Sequence, residues 1–413
     1  MVMMFVVFSG LLLLAALPTR QLEQTSSDSG QAKPAPLAFD ADGTFHISIF
    51  EDLHFGENAW DAWGPQQDVN SVKVIGQVLD AEPQTGLVVL NGDLITGENT
   101  FRQNSTHYID QIVQPMLHRG LTWASAYGNH DSDYNLSRSH LLERERRWPS
   151  SRTERMVHND TAGVSNYYLP VYAADCQSDC TPELLLWFFD SRGGFLYQQR
   201  DPATGDRVGQ PDWVDASVVG WFRQTNQQLV DGAGKAIPAL AFVHIPTSAS
   251  LALQKKGLDA HRQPGINDDV PVAQQGDGPC PDGTAAGGAT CEQDVPFLEA
   301  LTSTPGLMAL FSGHDHGDTW CYRWDKATLP DFPVAGNGLN LCFGQHSGYG
   351  GYGSWIRGAR QVVVSLDRLA DLAVDTYIRL ESGDVVGAVT LNATYGQDVY
   401  PATPNDKTKC PTC

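Results

Sequence analysis

The stretch Gly86 to Asn99, GLVVLNGDLITGEN, constrains the fold more than any other. Leu87, Val88, Val89 and Leu90 make a short apolar run bounded by glycines, the pattern of a strand buried on both faces. Asp93 follows directly behind Gly92. In open α/β sheets reactive groups gather beyond the carboxyl ends of strands, so this Asp is placed to meet residues carried by neighbouring strands. A single Gly-Asp after a strand is more often a turn or a helix cap. Four further stretches alter that reading.

Strand-like and helix-like runs alternate from Phe45 onward, where order is expected to begin. Strands are predicted at 45–50, 87–90, 122–127, 184–190, 240–244 and 307–312, and helices at 68–81, 108–117 and 217–230. Strands spaced by helices of this length imply βαβ units and a sheet covered on both faces. The last third differs: 361–366, 373–380 and 385–391 follow one another across a tight Ser-Gly-Asp turn, as antiparallel strands forming or extending a second sheet do. The segment 253–294, rich in Gly, Pro, Asp and Gln, shows no period. It reads either as a disulfide-stapled loop beside His244 or as a floppy insertion.

Residues 1–19 form an apolar block of signal-peptide length, too short to cross a bilayer comfortably, with an uncleaved anchor as the alternative. Polar, Pro-rich residues 20–43 read as a linker, 44–395 as the folded domain and 396–413 as a tail. Eight cysteines, none in a metal or nucleophile motif, fit disulfides and export. Cys410 and Cys413 have redox-motif spacing but no following helix, so a terminal staple is the better reading. Sequons at Asn104, Asn135, Asn159 and Asn392 would then be able to carry glycans. A net charge of -21 argues against nucleic acid or an anionic membrane as partner.

Five stretches end strand-like runs with metal-binding side chains: Asp52-Leu-His54, Gly92-Asp93, Gly128-Asn129-His130-Asp131, His244, and Gly313-His314-Asp315-His316. Asp, Asn and His without Cys make an oxygen and nitrogen site suited to zinc, manganese or iron. The donors are too many for one ion. Sharing Asp93 as a bridge allows two metals roughly 3.5 to 4 Å apart, an arrangement that activates water and neutralises a phosphoryl group together.

The order D-x-H, GD, GNH, H, GHxH resembles the calcineurin-like metallophosphoesterase superfamily. The wording IFEDLHFG, LNGDLITGEN, YGNHD, FVHIP, FSGHDHGDTWC and CFGQHSGYGGYG is similar to its small purple-acid-phosphatase-like branch of plants and fungi, from about Phe45 to Leu391. The resemblance implies an α/β fold, a four-layer α/β/β/α sandwich of two mixed sheets packed face to face, with the binuclear site at strand ends. It implies one metal on Asp52, His54, Asp93 and His316, and another on Asp93, Asn129, His244 and His314. It implies His130 as the catalytic residue that protonates the leaving alkoxide or stabilises phosphoryl charge, beside a metal-bridging hydroxide. The expected activity is a secreted phosphomonoesterase acting on small-molecule or peptide phosphoesters. A phosphodiesterase or nucleotidase on the same centre is the alternative, and a non-catalytic metal-binding protein a third.

Two departures from the superfamily matter. The carboxylate and Arg that follow GD in phosphoprotein phosphatases are replaced by Thr96 and Gly97, so another residue must orient His130. The Tyr that colours true purple acid phosphatases is also Thr96 here, which predicts an uncoloured protein. His346 and Tyr349 either line the substrate side or form a turn packed on the sheet. Asp190-Ser191 reads as a turn cap, Asp315 is expected to point away from the site, and the remaining histidines belong to surface or core.

Overall fold

The computed structural model describes residues 35–101, 103–277, 293–326, 329 and 332–408. The signal block, the first part of the linker, Cys280, Cys291, Cys410 and Cys413 lie outside the described residues. Described elements run β1 (Leu37–Ala38), β2 (Thr44–Phe50), α1 (Gly64–Ala81), β3 (Thr85–Asn91), α2 (Ser105–Arg119), β4 (Trp123–Ala126) and α3 (Arg138–Glu145). There follow β5 (Tyr167–Tyr172), β6 (Leu184–Phe189), β7 (Phe195–Arg200), β8 (Arg207–Gly209), α4 (Ala216–Ala233), β9 (Ala239–Val243) and α5 (Ser248–Lys256). The chain continues through α6 (Val295–Thr302), β10 (Leu307–Ser312), β11 (Cys321–Trp324), β12 (Leu339–Phe343), β13 (Gly358–Ser365), β14 (Val374–Leu380) and β15 (Val385–Leu391).

Two mixed sheets hold nearly all the strands. One has the order β1-β5-β6-β9-β10-β12-β11, the other β15-β14-β13-β2-β3-β4, while β7 and β8 form a separate hairpin. Within the second sheet β2, β3 and β4 are parallel, and β13, β14 and β15 extend it antiparallel. The parallel half of the first sheet is β6, β9, β10 and β12.

The all-apolar strand runs follow from burial on two faces. Leu184, Leu186 and Phe188 of β6 point into the core between the sheets, with Leu240, Phe242 and Phe311 beside them and Ile47, Ile49, Leu87 and Val89 opposite. Their alternates Leu185, Trp187 and Phe189 pack outward on Val218 and Phe222 of α4, Leu253 of α5 and Phe297 of α6. On the far side Val88 and Leu90 meet Val74, Ile75 and Val78 of α1 and Ile109, Ile112 and Met116 of α2. A period of two along each strand thus feeds two different cores, and the layers are α/β/β/α.

Helix limits follow local chemistry. α1 starts with Pro65 in its first turn, where the missing N–H costs nothing, and its buried side recurs at Ser71, Val74, Ile75 and Val78. The α2 terminus is set by Gly120, whose left-handed φ of 67° lets its N–H reach back to the Leu117 and Met116 carbonyls. Asp215 caps α4 by accepting from Ser217 N at 2.9 Å.

The linker reading of 20–43 is corrected at its carboxyl end. Leu37 and Ala38 pair in parallel with Val171 and Tyr172, and Leu37 and Phe39 are buried in the inter-sheet core. A two-residue strand carries no readable period. The tail likewise packs through residue 408: Tyr400 N bonds the His261 carbonyl, Ile356 N the Asp406 carbonyl and Thr408 N the Ser354 carbonyl. Disulfides join Cys176 to Cys180 and Cys321 to Cys342, the latter pair directly opposed on β11 and β12. Among the described residues no helix is long and apolar enough to cross a membrane.

Candidate metal centre

Every predicted ligand sits just past the carboxyl end of a parallel strand: Asp52 and His54 after β2, Asp93 after β3, Asn129 after β4, His244 after β9, His314 and His316 after β10. The sheets bring them together in two groups. Asp52, His54 and His316 form one; Asp93, His244 and His314 form the other, with donor atoms in each group within 4.8 Å of one another. Asp93 also reaches the first group, since its Oδ2 lies 2.9 Å from His244 Nε2 and 3.9 Å from His54 Nε2.

Turning the chain abruptly at these strand ends requires unusual backbone. Asp52, His54, Asp93 and His314 have φ of 53°, 49°, 49° and 76°, in the left-handed region that side chains rarely enter. Four ligand positions held this way mark strain tolerated for function. Glycines supply the remaining clearance. A Cβ on Gly92 would lie 2.4 Å from His244 Nδ1, on Gly128 2.3 Å from Asp93 Oδ1, and on Gly351 2.4 Å from His316 Cε1.

The outer ring nitrogens are engaged, which frees the inner ones. His244 Nδ1 donates to the Asn91 carbonyl at 2.9 Å and His316 Nδ1 to the Tyr352 carbonyl at 2.9 Å. Such backbone acceptors fix the tautomer that presents Nε2 to a metal. His54 Nδ1 lies 3.4 Å from Thr96 Oγ1.

The donor set fits cations. Asn129 Oδ1 is buried without a hydrogen-bond partner, and His54 and His316 Nε2 stand 3.2 Å apart, the latter 3.5 Å from Asp52 Oδ1. Burial and the neighbouring His130 draw the His54 imidazole down to about 3, so it is a neutral donor. Burial also opposes charge on His244, but the Asp93 and Asp52 carboxylates outweigh it and hold its pKa at about 10. In the metal-free protein that proton offsets part of the carboxylate charge.

His130 lies at the edge of both groups. Its backbone N donates to Asp93 Oδ1 at 2.7 Å, its ring centroid is 5.0 Å from that of His54, and its Nδ1 is 2.9 Å from Glu98 Oε2. Burial pulls the imidazole down, while Asp93 and the Glu98 hydrogen bond outweigh it and raise the pKa to about 9. Glu98 is therefore the residue that orients His130. The sequence signal was a carboxylate in the same turn, five residues beyond Asp93.

Asp131 ties the two loops together, accepting from Leu94 N, Ile95 N and Gly128 N. Asp190 is a turn cap, accepting from Val164 N and Arg192 N. His346 does not line the site: it is buried, bonds the Gly350 carbonyl through Nε2 and packs under His316 with centroids 3.9 Å apart. Tyr349 turns to Glu381. Asp315, expected to point away, instead lines the cavity over the centre, because the left-handed His314 breaks the alternation of an extended segment. That cavity, about 380 Å³, also includes Glu57, Thr96, Glu98, Ala273 and Tyr352. Ala273 comes from the long loop, which is anchored beside the site by Gln275 on Ile245 and Pro246.

No family model matches the chain. It is 26% identical over 392 residues to "Probable inactive purple acid phosphatase 29" of Arabidopsis thaliana, covering 88% of this chain and 86% of that one. It is 26% identical over 314 residues to "Phosphatase DCR2" of Saccharomyces cerevisiae, covering 73% of this chain and 48% of the yeast protein. A dimetal phosphatase from Danio rerio overlays with a TM-score of 0.49 at 12% identity, over 84% of this chain and 98% of that one. Two Asp and His groups at strand ends, together with the phosphatase-family relatives, support a metallophosphoesterase. The chain's homologues are purple-acid-phosphatase-like proteins and a yeast phosphatase, consistent with the calcineurin-like metallophosphoesterase superfamily.

Proposed function

We propose that this protein is a secreted, metal-dependent phosphomonoesterase. The observation that carries the reading is the pair of ligand groups sharing Asp93, with a carboxylate-oriented histidine at their edge. Asp52, His54, Asp93 and His316 would hold one cation, and Asp93, Asn129, His244 and His314 the other. Bound there, two ions of iron, zinc or manganese would supply Lewis acidity toward the phosphoryl oxygens and lower the pKa of a nearby water.

The chain's own residues do the rest. Glu98 holds Nδ1 of His130, leaving Nε2 to give its proton to the departing alkoxide oxygen. The strained backbone at Asp52, His54, Asp93 and His314 fixes donor positions before substrate arrives, so little reorganisation is needed. The Arabidopsis relative is named inactive. Here the Glu98–His130 pair supports turnover, because metal retention alone does not need it. Export is supported by the two disulfides.

The test is metal analysis of protein purified without added ions, followed by assay of nitrophenyl phosphate and its bis-ester. Two ions per chain and preference for the monoester are expected. Preference for the bis-ester moves the reading to a phosphodiesterase, and fewer than two ions at saturating supply removes it.

A further inference from the structure

Tyr352 is 50% exposed, yet it holds the candidate ligand His316 by three separate contacts. Its carbonyl accepts from His316 Nδ1 at 2.9 Å, its hydroxyl accepts from His316 N at 3.1 Å, and its ring lies flat on the imidazole with centroids 4.0 Å apart. His346 meets the same imidazole at a centroid distance of 3.9 Å. Two rings cannot both come that close on one face, so the imidazole is clamped between them. The result is a ligand only 3% exposed, with its Nε2 left for a cation.

A side chain half in solvent needs an anchor of its own, and the long loop supplies it. Asp269 Oδ2 accepts from the Tyr352 hydroxyl at 2.6 Å and from the N–H of Gly317, the residue after His316, also at 2.6 Å. Short bonds to a carboxylate are the strong kind. Asp268 beside it accepts from Trp355 Nε1 at 2.7 Å, and the Trp355 ring covers Gly317, where a Cβ would lie 2.6 Å from it. Lys407 of the tail stands over the Trp355 ring at 4.7 Å and bonds Asp268 Oδ2 at 3.0 Å. From the other side Glu57 Oε2 accepts from Gly351 N at 2.6 Å and fixes the turn that carries Tyr352. Loop, tail and Gly-rich turn thus converge on Tyr352, although none of them supplies a predicted ligand.

We propose that Tyr352, anchored by Asp269, is a positioning residue that sets how tightly the group of Asp52, His54 and His316 holds its cation. The proposal rests on the binuclear reading of the site. Partners that fix the direction of a metal-bound histidine govern affinity, because a ring free to turn spends less of its time aimed at the ion. Without the hydroxyl and the stacked ring, His316 would lose both its main-chain tether to Asp269 and the cover over one face. The effect belongs to one group of the two: among the described residues Asp93, His244 and His314 make no hydrogen bond or ring contact with Tyr352.

The test is calorimetric titration of manganese into the whole chain after chelation. In Tyr352→Leu one of the two ions is expected to bind about tenfold more weakly, the other as before. Tyr352→Phe, which keeps the stacked ring and loses only the hydroxyl, is expected to recover most of that loss and stay within about threefold of the parent. Placed in a His54→Ala background, which disables the first group, Tyr352→Leu should change nothing further. Equal affinities in parent and Tyr352→Leu, or an equal loss at both groups, overturn the positioning role and leave the binuclear reading standing. Fewer than two ions on the parent protein at saturating supply overturns both.

Discussion

Both ligand groups draw on both sheets, yet they wait for metal in different states. Asp52, His54 and His316 are enclosed, each under 5% exposed, and burial keeps His54 neutral and ready. Asp93, His244 and His314 include a half-buried His and an ion pair, Asp93 with a protonated His244. A cation entering the second group has to displace that proton. Enclosure preforms one group, whereas charge pairing keeps the other together until its cation arrives.

The largest test of this contrast is Asp93→Ala, which removes the carboxylate both groups share. Loss of both ions in elemental analysis and of essentially all turnover is expected; retention of two ions would refute the shared role. Next, His130→Ala should keep both ions and lower kcat by about 10²–10⁴-fold, the range for a general acid. Unchanged turnover would remove His130 from the reaction.

Glu98→Gln should cost less. His130 is protonated below its raised pKa of about 9, and its function as an acid is lost as pH rises through that value. Bound cations offset Asp93, which leaves Glu98 as the partner that keeps the proton on. The alkaline limb of the pH–rate profile is therefore expected to move to lower pH in Glu98→Gln. A profile that stays in place would make Glu98 merely structural.

The smallest signal is the proton itself. Filling the second group near pH 7 should release one from His244, so calorimetric heats should vary with the ionisation enthalpy of the buffer. Heats independent of buffer would erase the distinction between the groups. A visible absorption band in the loaded protein would contradict the reading of Thr96, whose hydroxyl meets only His54.

Much of this was legible in one dimension, and for a physical reason. Strands buried on both faces must be continuous apolar runs, so β3, β6, β9 and β10 announce themselves, while β2 reads by alternation, and the ligands follow because reactive groups collect where such strands end. Elements without that double burial were not seen: β5 and the β7–β8 hairpin mix polar with apolar residues, and β1 is two residues long. Glu57, Glu98 and Tyr352 carried no motif. Their roles come from loops 57–63 and 97–101, joined where Asn58 N donates to Asn99 Oδ1, and from a Gly-rich turn that places an aromatic ring on His316.

The sequence by itself therefore determined the layered α/β architecture and the order of the metal donors, since both are written in strand periodicity and strand-end chemistry. Only the tertiary structure decided which carboxylate holds His130 and that Asp315 lines the cavity. Those choices depend on left-handed turns, such as that at His314, and on contacts between separate loops, such as Glu98 with His130, and no local pattern encodes them.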